Sequence, residues 1–276
     1  MKNQYPDARR GPLSGLLVGV FTLGVAGWGL YQGLEREETI RQQFDPLMSI
    51  DVLTAEPEDL PDFAALEVVQ ERKDEFYDFL LPIIHQENAR LLQKRAILES
   101  WSDDLAQGNP LPERTLEQLN DLAERYYVEL EQDMEAILSE LLLKIDVLPP
   151  SLIVAQAANE SAWGTSRFAR EGNNLFGQWC FSEGCGLVPQ SRPDGEIYEV
   201  RAFDSPAISV RSFLQNLNRH FSYEEMREAR AAARDNGQAL SGLDLAPYLL
   251  AYSTRREAYV EEIKQMIRFN NLQALD

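Results

Sequence analysis

An uncharged apolar run from Leu13 to Leu34 limits the possible architecture of this chain more than any other sequence feature. Its sequence is LSGLLVGVFTLGVAGWGLYQGL, and about 20 consecutive apolar residues suffice to cross the hydrocarbon core of a bilayer. Trp28 and Tyr31, near the far end of the run, are typical of the aromatic belt at a membrane interface. We therefore expect residues 13–34 to form a transmembrane anchor.

The charges that flank this run predict its orientation. Lys2, Arg9 and Arg10 precede it, and an acidic stretch that begins at Glu35 follows it. Because positive charge is retained on the cytoplasmic side, we expect residues 1–12 to form a cytoplasmic tail and the remaining chain to lie outside the cytoplasm. The alternative is a cleaved signal peptide, since small residues near Ala26 loosely fit a cleavage site.

The next segments read as a linker followed by helices. Residues 35–62 are acidic and contain several prolines without a sustained helical period, which predicts a linker. Residues 63–146 carry apolar residues at helical spacing, which predicts a helical region with a kink or break at Pro82 and a second long helix over 115–145.

Charge and metal-ligand content exclude several classes of function. The formal net charge is -19 and the pI is near 4.5, whereas nucleic-acid binders carry clustered lysine and arginine, so we expect no nucleic-acid partner. Two cysteines and two histidines occur without CxxC or HExxH spacing. We therefore expect neither a metal site nor a cofactor.

A carboxyl group on an apolar helix face marks the candidate active site. Ser151 is predicted to cap a helix that ends near Gly164, and Glu160 shares a face with Ile153 and Ala157 in its last turn. Apolar neighbours and the negative end of the helix dipole both favour a protonated carboxyl group. A protonated carboxylic acid is the proton donor that glycosidic bond cleavage requires.

The segment after this helix predicts a small β element. Cys180 and Cys185 lie five positions apart, and outside the cytoplasm such a pair is expected to form a disulfide. Residues 196–204, EIYEVRAFD, alternate in character and follow a Pro-Asp-Gly turn, which predicts a short strand or hairpin arm.

The run AQAANESAWGTSRFAREGNNLFGQW, residues 155–179, resembles the catalytic core of a known family of endo-β-N-acetylglucosaminidases. This family includes flagellar peptidoglycan hydrolases and the Bax-like proteins of Gram-negative bacteria. The FLLPII and EN residues at 79–88, the WCF segment and the terminal YS segment are similar to the Bax-like branch in particular.

The resemblance implies a mostly α fold: a lysozyme-like α+β catalytic domain over residues 147–276 with a small β-hairpin. It implies Glu160 as general acid and Glu199 as second carboxylate, with Glu196 as the rival. Whether catalysis is retaining, inverting or substrate-assisted stays open. Together with the anchor predicted over residues 13–34, the resemblance to a Gram-negative family predicts an inner-membrane protein whose catalytic domain faces the periplasm; after signal cleavage the protein would instead be secreted to the periplasm.

The implied substrate is the glycan strand of peptidoglycan, cleaved at β-1,4 bonds by an N-acetylglucosaminidase. Amide and aromatic side chains are predicted to contact the sugars: Trp163, Asn173, Asn174, Phe176, Tyr252 and Tyr259. The alternatives are a lytic transglycosylase that uses the same glutamate and a non-catalytic peptidoglycan-binding scaffold.

Overall fold

The computed structural model describes residue 47 and residues 59–276, and residues 59–276 belong to one compact unit. The predicted tail, the anchor over 13–34 and most of the linker over 35–62 lie outside these residues and stay predictions. Among the helices that are described, none has the length and apolar character needed to span a membrane.

The prediction of a mostly α-helical domain is confirmed for the described part of the chain. Its helices are α1 (Val69–Ala106), α2 (Glu113–Arg125), α3 (Met134–Lys144), α4 (Pro150–Ser161), α5 (Arg167–Gly172), α6 (Pro206–Arg219), α7 (Glu224–Asp235), α8 (Gly242–Leu245) and α9 (Glu257–Phe269). Short 3₁₀ turns lie at Phe63–Ala65, Phe221–Tyr223, Ala246–Leu249 and Leu272–Leu275.

The sequence predicted a kink or a break at Pro82. The structure shows no break, because helix α1 continues through the proline. Leu80, Ile83 and Ile84 are buried on either side of the proline. Burying such side chains stabilises the fold by about 1.5–3 kcal/mol each, which offsets the hydrogen bond that proline cannot donate.

The single long helix predicted over 115–145 is wrong, because the chain forms α2 and α3 instead. Between them Tyr127 adopts a positive φ of 57°, which a helix cannot contain. Asp133 then starts α3 by accepting a hydrogen bond from the backbone N–H of Ala136.

Helix α4 lies at the centre of the packing. It contacts α1, α8, α9 and the Leu272–Leu275 turn, and its residues from Ser151 to Ala158 are all buried. Small side chains such as those of Ala155 and Ala157 let the neighbouring helices approach closely. The α1 helix also packs on α3 and α6, and the predicted domain boundary at residue 147 stays a prediction.

Ser151 does not cap α4 as the sequence predicted, because Pro149 occupies the N-cap position and Pro150 begins the helix. The Ser151 hydroxyl instead donates to Asp276 Oδ2 at 2.6 Å, and its backbone N–H donates to Asp276 Oδ1 at 2.9 Å. The capping carboxylate therefore comes from the far end of the chain.

The β element is a three-stranded antiparallel sheet rather than a two-stranded hairpin. Its strands are β1 (Trp179–Cys180), β2 (Gly186–Leu187) and β3 (Glu199–Arg201), in the order β1-β3-β2. Cys180 pairs with Glu199, and Leu187 pairs with Val200. A Cβ on Gly186 would lie 2.0 Å from the carbonyl oxygen of Val200, so only glycine permits this close approach.

Candidate active site

Glu160 lies in the last turn of α4, as its sequence position predicted. The helix ends because Ala162 and Trp163 adopt left-handed backbone conformations, with φ values of 51° and 60°. The carboxyl group is partly buried, and its Oε2 lies 3.4 Å from the position of a Cβ on Gly177. Because Gly177 has no side chain, the space beside the carboxyl group stays open.

The surroundings of Glu160 act on its pKa in opposite directions. Burial raises the pKa above the ordinary value of 4.5, because desolvation disfavours the charged form. Hydrogen bonds from Tyr259 and Asn159 and the positive charge of Arg255 favour the carboxylate and limit the rise. The net effect is a carboxyl group that retains its proton at a higher pH than an exposed glutamate.

Two tyrosines from the C-terminal part of the chain line this region. The rings of Tyr252 and Tyr259 stack at 5.4 Å. Tyr259 Oη accepts a hydrogen bond from Gln156 Nε2 at 3.0 Å, and Tyr252 Oη donates to the carbonyl oxygen of Phe176 at 2.8 Å. Burial raises the pKa of both hydroxyls, so both remain protonated and neutral.

The predicted substrate contacts Asn173 and Asn174 both bind the protein backbone. Asn173 ends α5 with a φ of 51°, and its Nδ2 donates to the carbonyl oxygen of Phe203 at 3.0 Å. Asn174 is 2% exposed. Its amide donates to the Gln178 and Arg201 carbonyls and accepts from two N–H groups of its own turn. These contacts show a structural role, and sugar binding by either residue stays a prediction.

The aromatic residues predicted to contact sugars have different environments. Phe176 is 1% exposed, and its ring stacks on Phe213 at 4.1 Å within the core. Trp163 is partly exposed and packs edge-to-face on Phe76 and Tyr77 of α1. Of these two rings only that of Trp163 presents surface to solvent, and both predicted contacts stay predictions.

Glu199 begins β3, and its carboxylate is held by the loop between the two cysteines. The residue is 4% exposed, and its two oxygens accept from the backbone N–H groups of Gly184 at 3.1 Å and Gly186 at 2.7 Å. These bonds, with the charge of Arg192, lower the pKa of Glu199. Glu199 is therefore an ionised group with both oxygens engaged, and its role as second carboxylate stays a prediction.

The same loop contains the predicted disulfide, which is confirmed between Cys180 and Cys185. Glu199 and the two sulfur atoms lie close enough together to resemble a metal-ligand cluster. Because the sulfur atoms are bonded to each other, neither is available as a thiolate ligand. The rival carboxylate Glu196 is exposed and lies before β3.

Replacing Glu199 by glutamine is expected to lower the melting temperature at pH 7, because an amide retains only one oxygen for two N–H donors. The pKa of Glu199 is lower in the folded chain than its ordinary value of 4.5. Its contribution to stability is therefore present above that value and is lost as the pH falls through the folded pKa. Thermal unfolding of wild type and Glu199→Gln from pH 7 to pH 3 should show the difference shrinking. Glu196→Gln is the matched control, and an equal effect of both variants would contradict the structural role.

Several residues of this site were not identified as functional from the sequence. Gln156, one turn before Glu160, donates a hydrogen bond to Tyr259 Oη at 3.0 Å. Asn159 contacts the Glu160 carboxyl at 3.5 Å, and Arg255 forms an ion pair with Glu262 at 2.7 Å. Gln156 and Asn159 share α4 with Glu160, whereas Arg255 and Glu262 lie near it because α9 packs on α4. No local pattern identifies the last two.

Comparison with known proteins decides the family. A family model described as mannosyl-glycoprotein endo-beta-N-acetylglucosaminidase matches residues 136–272. Protein bax of Escherichia coli (strain K12) is 32% identical over 218 residues, covering 79% of this chain and 76% of that protein. The chain belongs to the glucosaminidase family. The resemblance seen in residues 155–179 is thereby confirmed.

Membership makes this glucosaminidase a glycoside hydrolase of the endo-β-N-acetylglucosaminidase type. The catalytic domain of the autolysin Auto from Listeria monocytogenes is also similar, with 22% sequence identity over 64% of this chain and 96% of that chain. The TM-score is 0.36, so no geometry is transferred from that structure to the glucosaminidase site.

Proposed function

We propose that this glucosaminidase hydrolyses β-1,4 bonds in the glycan strands of peptidoglycan as an N-acetylglucosaminidase, with Glu160 as the general acid. The observation that carries this proposal is the position of Glu160 in the last turn of α4, partly buried and with its pKa raised by that burial. A carboxylic acid with a raised pKa stays protonated at a higher pH and can donate its proton to the leaving-group oxygen.

In the proposed reaction Glu160 donates its proton to the glycosidic oxygen as the bond from that oxygen to C1 breaks. The sugar then acquires oxocarbenium character, and water completes the hydrolysis. After donation, the hydrogen bonds from Tyr259 and Asn159 and the charge of Arg255 stabilise the carboxylate of Glu160. The carboxylate can then accept a proton from the attacking water.

The second group in the reaction is proposed to be the 2-acetamido oxygen of the substrate itself. This is favoured because both oxygens of Glu199 already accept backbone hydrogen bonds. These bonds lower the pKa of the carboxylate, which makes it a weaker base and a weaker nucleophile. A substrate-assisted route needs no carboxylate nucleophile, because the acetamido oxygen of an N-acetylglucosamine unit attacks C1 instead.

Analysis of the cleavage products tests this proposal. Digestion of purified sacculi followed by borohydride reduction and mass spectrometry is expected to show reducing N-acetylglucosamine ends. A 1,6-anhydromuramyl product would instead show a lytic transglycosylase, and reducing N-acetylmuramic acid would contradict the bond specificity. Binding to sacculi with no release of fragments would favour the scaffold alternative.

A further inference from the structure

A cavity of about 610 Å³ is lined in part by Asn159, the residue next to Glu160 in the chain, and the proposed proton transfer does not use it. Its lining comes from α1, from α9 and from the end of α4 with the turn that follows it, and it includes Asn159, Trp163, Phe269 and Asn270. The charged residues of the lining are the cations Lys73 and Arg268 and the carboxylate of Glu262, which pairs with Arg255 at 2.7 Å. Asn159 connects it to the acid, because its Nδ2 lies 3.5 Å from Glu160 Oε1. We call this space the Lys73 cavity.

The ammonium group of Lys73 is held between two aromatic rings. Its Nζ lies 4.9 Å from the centroid of Trp163 and 5.6 Å from that of Phe269. It donates one hydrogen bond, to Asn270 Oδ1 at 2.7 Å, and within residues 59–276 no carboxylate forms an ion pair with it. Cation–π contacts and one amide thus position the charge, while two of its three protons are left for a ligand.

The remaining lining suits a sugar ring. Phe269 is 86% exposed, so it offers a flat apolar surface beside the ring of Trp163. The amide of Gln265 lies beside this surface, and an amide can both donate to and accept from hydroxyl and acetamido groups. The Asn270 amide is engaged within the protein, because it accepts from Lys73 and donates to Met266. Aromatic surface with a few polar groups is typical of small-molecule sites.

We infer that the Lys73 cavity is a subsite for a sugar unit that carries a carboxylate, with the carboxylate bound to Lys73. This inference rests on the proposed function. In a peptidoglycan strand every second sugar carries a lactyl group, which ends either in a free carboxylate or in a stem peptide with carboxylates of its own. Both sources present the same chemistry to Lys73.

The charge of the chain gives a physical reason for this arrangement. Its formal net charge is -19, so a polymer that bears carboxylates meets general repulsion at the surface. Lys73, a cation that lines the same cavity as Asn159, opposes that repulsion at the proposed binding place of the strand. Lys73 belongs to α1, which precedes the residues 136–272 matched by the family model.

Binding of chemically matched strands to the full-length protein tests the inference. The protein carries Glu160→Gln to prevent turnover, alone or combined with Lys73→Gln, Lys73→Arg or the control Lys264→Gln. Lys264 lies on α9 and pairs with Glu261 at 3.1 Å. The ligands are peptide-free strands with free lactyl carboxylates, the same strands with these carboxylates amidated, and strands that retain stem peptides; calorimetry gives each Kd.

Lys73→Gln is expected to weaken binding of a carboxylate-bearing strand about fivefold, the size of one solvent-screened ion pair. Lys73→Arg and Lys264→Gln should bind like the parent, and the amidated strand should bind equally to the parent and to Lys73→Gln. A Lys73 effect confined to peptide-bearing strands would place the carboxylate on the stem peptide, and an effect on peptide-free strands would place it on the lactyl group.

Equal weakening of free and amidated strands would overturn the inference, because Lys73 would then act only through packing. The inference would also be overturned if Lys73→Gln bound carboxylate-bearing strands as tightly as the parent, or if the parent bound no strand. If Lys73→Gln fails to fold, the inference is tested by the parent protein alone: it should bind strands with free carboxylates more tightly than amidated strands, and equal binding would overturn the inference. These binding measurements need no turnover. Failure of the wild-type protein to cleave sacculi would therefore contradict the proposed function without affecting the test of the Lys73 cavity.

Discussion

Replacing Glu160 by glutamine is expected to slow glycan cleavage by about 10²- to 10⁴-fold, the range that a positioned proton donor contributes. Glutamine has nearly the same shape and can still contact Asn159 and Tyr259, but its amide cannot protonate the leaving oxygen. The loss should therefore appear in turnover and leave the fold intact. The measurement is release of reducing ends from purified sacculi, with thermal unfolding of both proteins as a check on folding.

The matched control for this variant is Glu261→Gln on α9. Glu261 is exposed and pairs with Lys264 at 3.1 Å, so its neutralisation should leave the rate within about twofold, since surface pairs contribute little. Equal rates for Glu160→Gln and wild type would rule out Glu160 as the acid. The control separates loss of the acid from loss of one negative charge.

The pH profile gives the same experiment a second readout. A general acid acts only while protonated, so the proposed role of Glu160 predicts that activity falls as the pH rises through its pKa. Burial places that pKa above the ordinary value of 4.5, and the falling limb should therefore lie above the pH at which an exposed glutamate ionises. Any residual activity of Glu160→Gln should lack this limb.

The second large effect is expected for Arg230→Ala, which should lower the free energy of unfolding by about 3–5 kcal/mol, as expected when one partner of a buried ionic network is removed. Arg230 is 5% exposed on α7. Its guanidinium donates to five buried or partly buried oxygens: the carbonyls of Leu143, Lys144, Asp146 and Val147 at 3.1–3.2 Å and the Oδ1 of Asn218 at 2.7 Å.

Arg230 matters to the site because its partners form the segment that leads into α4. Burial lowers the pKa of Arg230 to about 10, so the group stays charged at neutral pH. Asp146, which is 2% exposed, pairs with Arg234 and lies 3.9 Å from Arg230 Nε. Alanine would remove the Arg230 donors from all four carbonyl oxygens, of which that of Asp146 still accepts from Asn218 Nδ2 at 2.9 Å. It would also leave the Asp146 carboxylate with one fewer positive neighbour.

Urea unfolding measures this effect through the midpoint and the slope. Glu228→Ala on the exposed face of the same helix is the control, and its change should stay within about 0.5 kcal/mol. A change for Arg230→Ala no larger than that of the control would mean that the network around Asp146 contributes little to folding.

The sequence allowed some features to be predicted because they depend on local rules. Helical spacing placed Glu160 in the last turn of α4. The disulfide was predicted because Cys180 and Cys185 lie five positions apart in a segment expected outside the cytoplasm. The strand around Glu199 was predicted from its alternation, although its two short partner strands were not. They are too short to carry a pattern of their own.

Other features depend on pairs of residues that are distant in the chain. Asp276 replaces Ser151 as the capping group of α4, and Glu199 turns its carboxylate toward the N–H groups of the disulfide loop. Lys73 reaches Trp163 only because α1 packs on α4. Periodicity and capping express hydrogen bonds within a few residues, so the sequence alone determined that Glu160 lies on α4. The neighbours that set its pKa, and the cavity beside it, were decided by tertiary packing, because side-chain contacts between separate helices leave no local pattern.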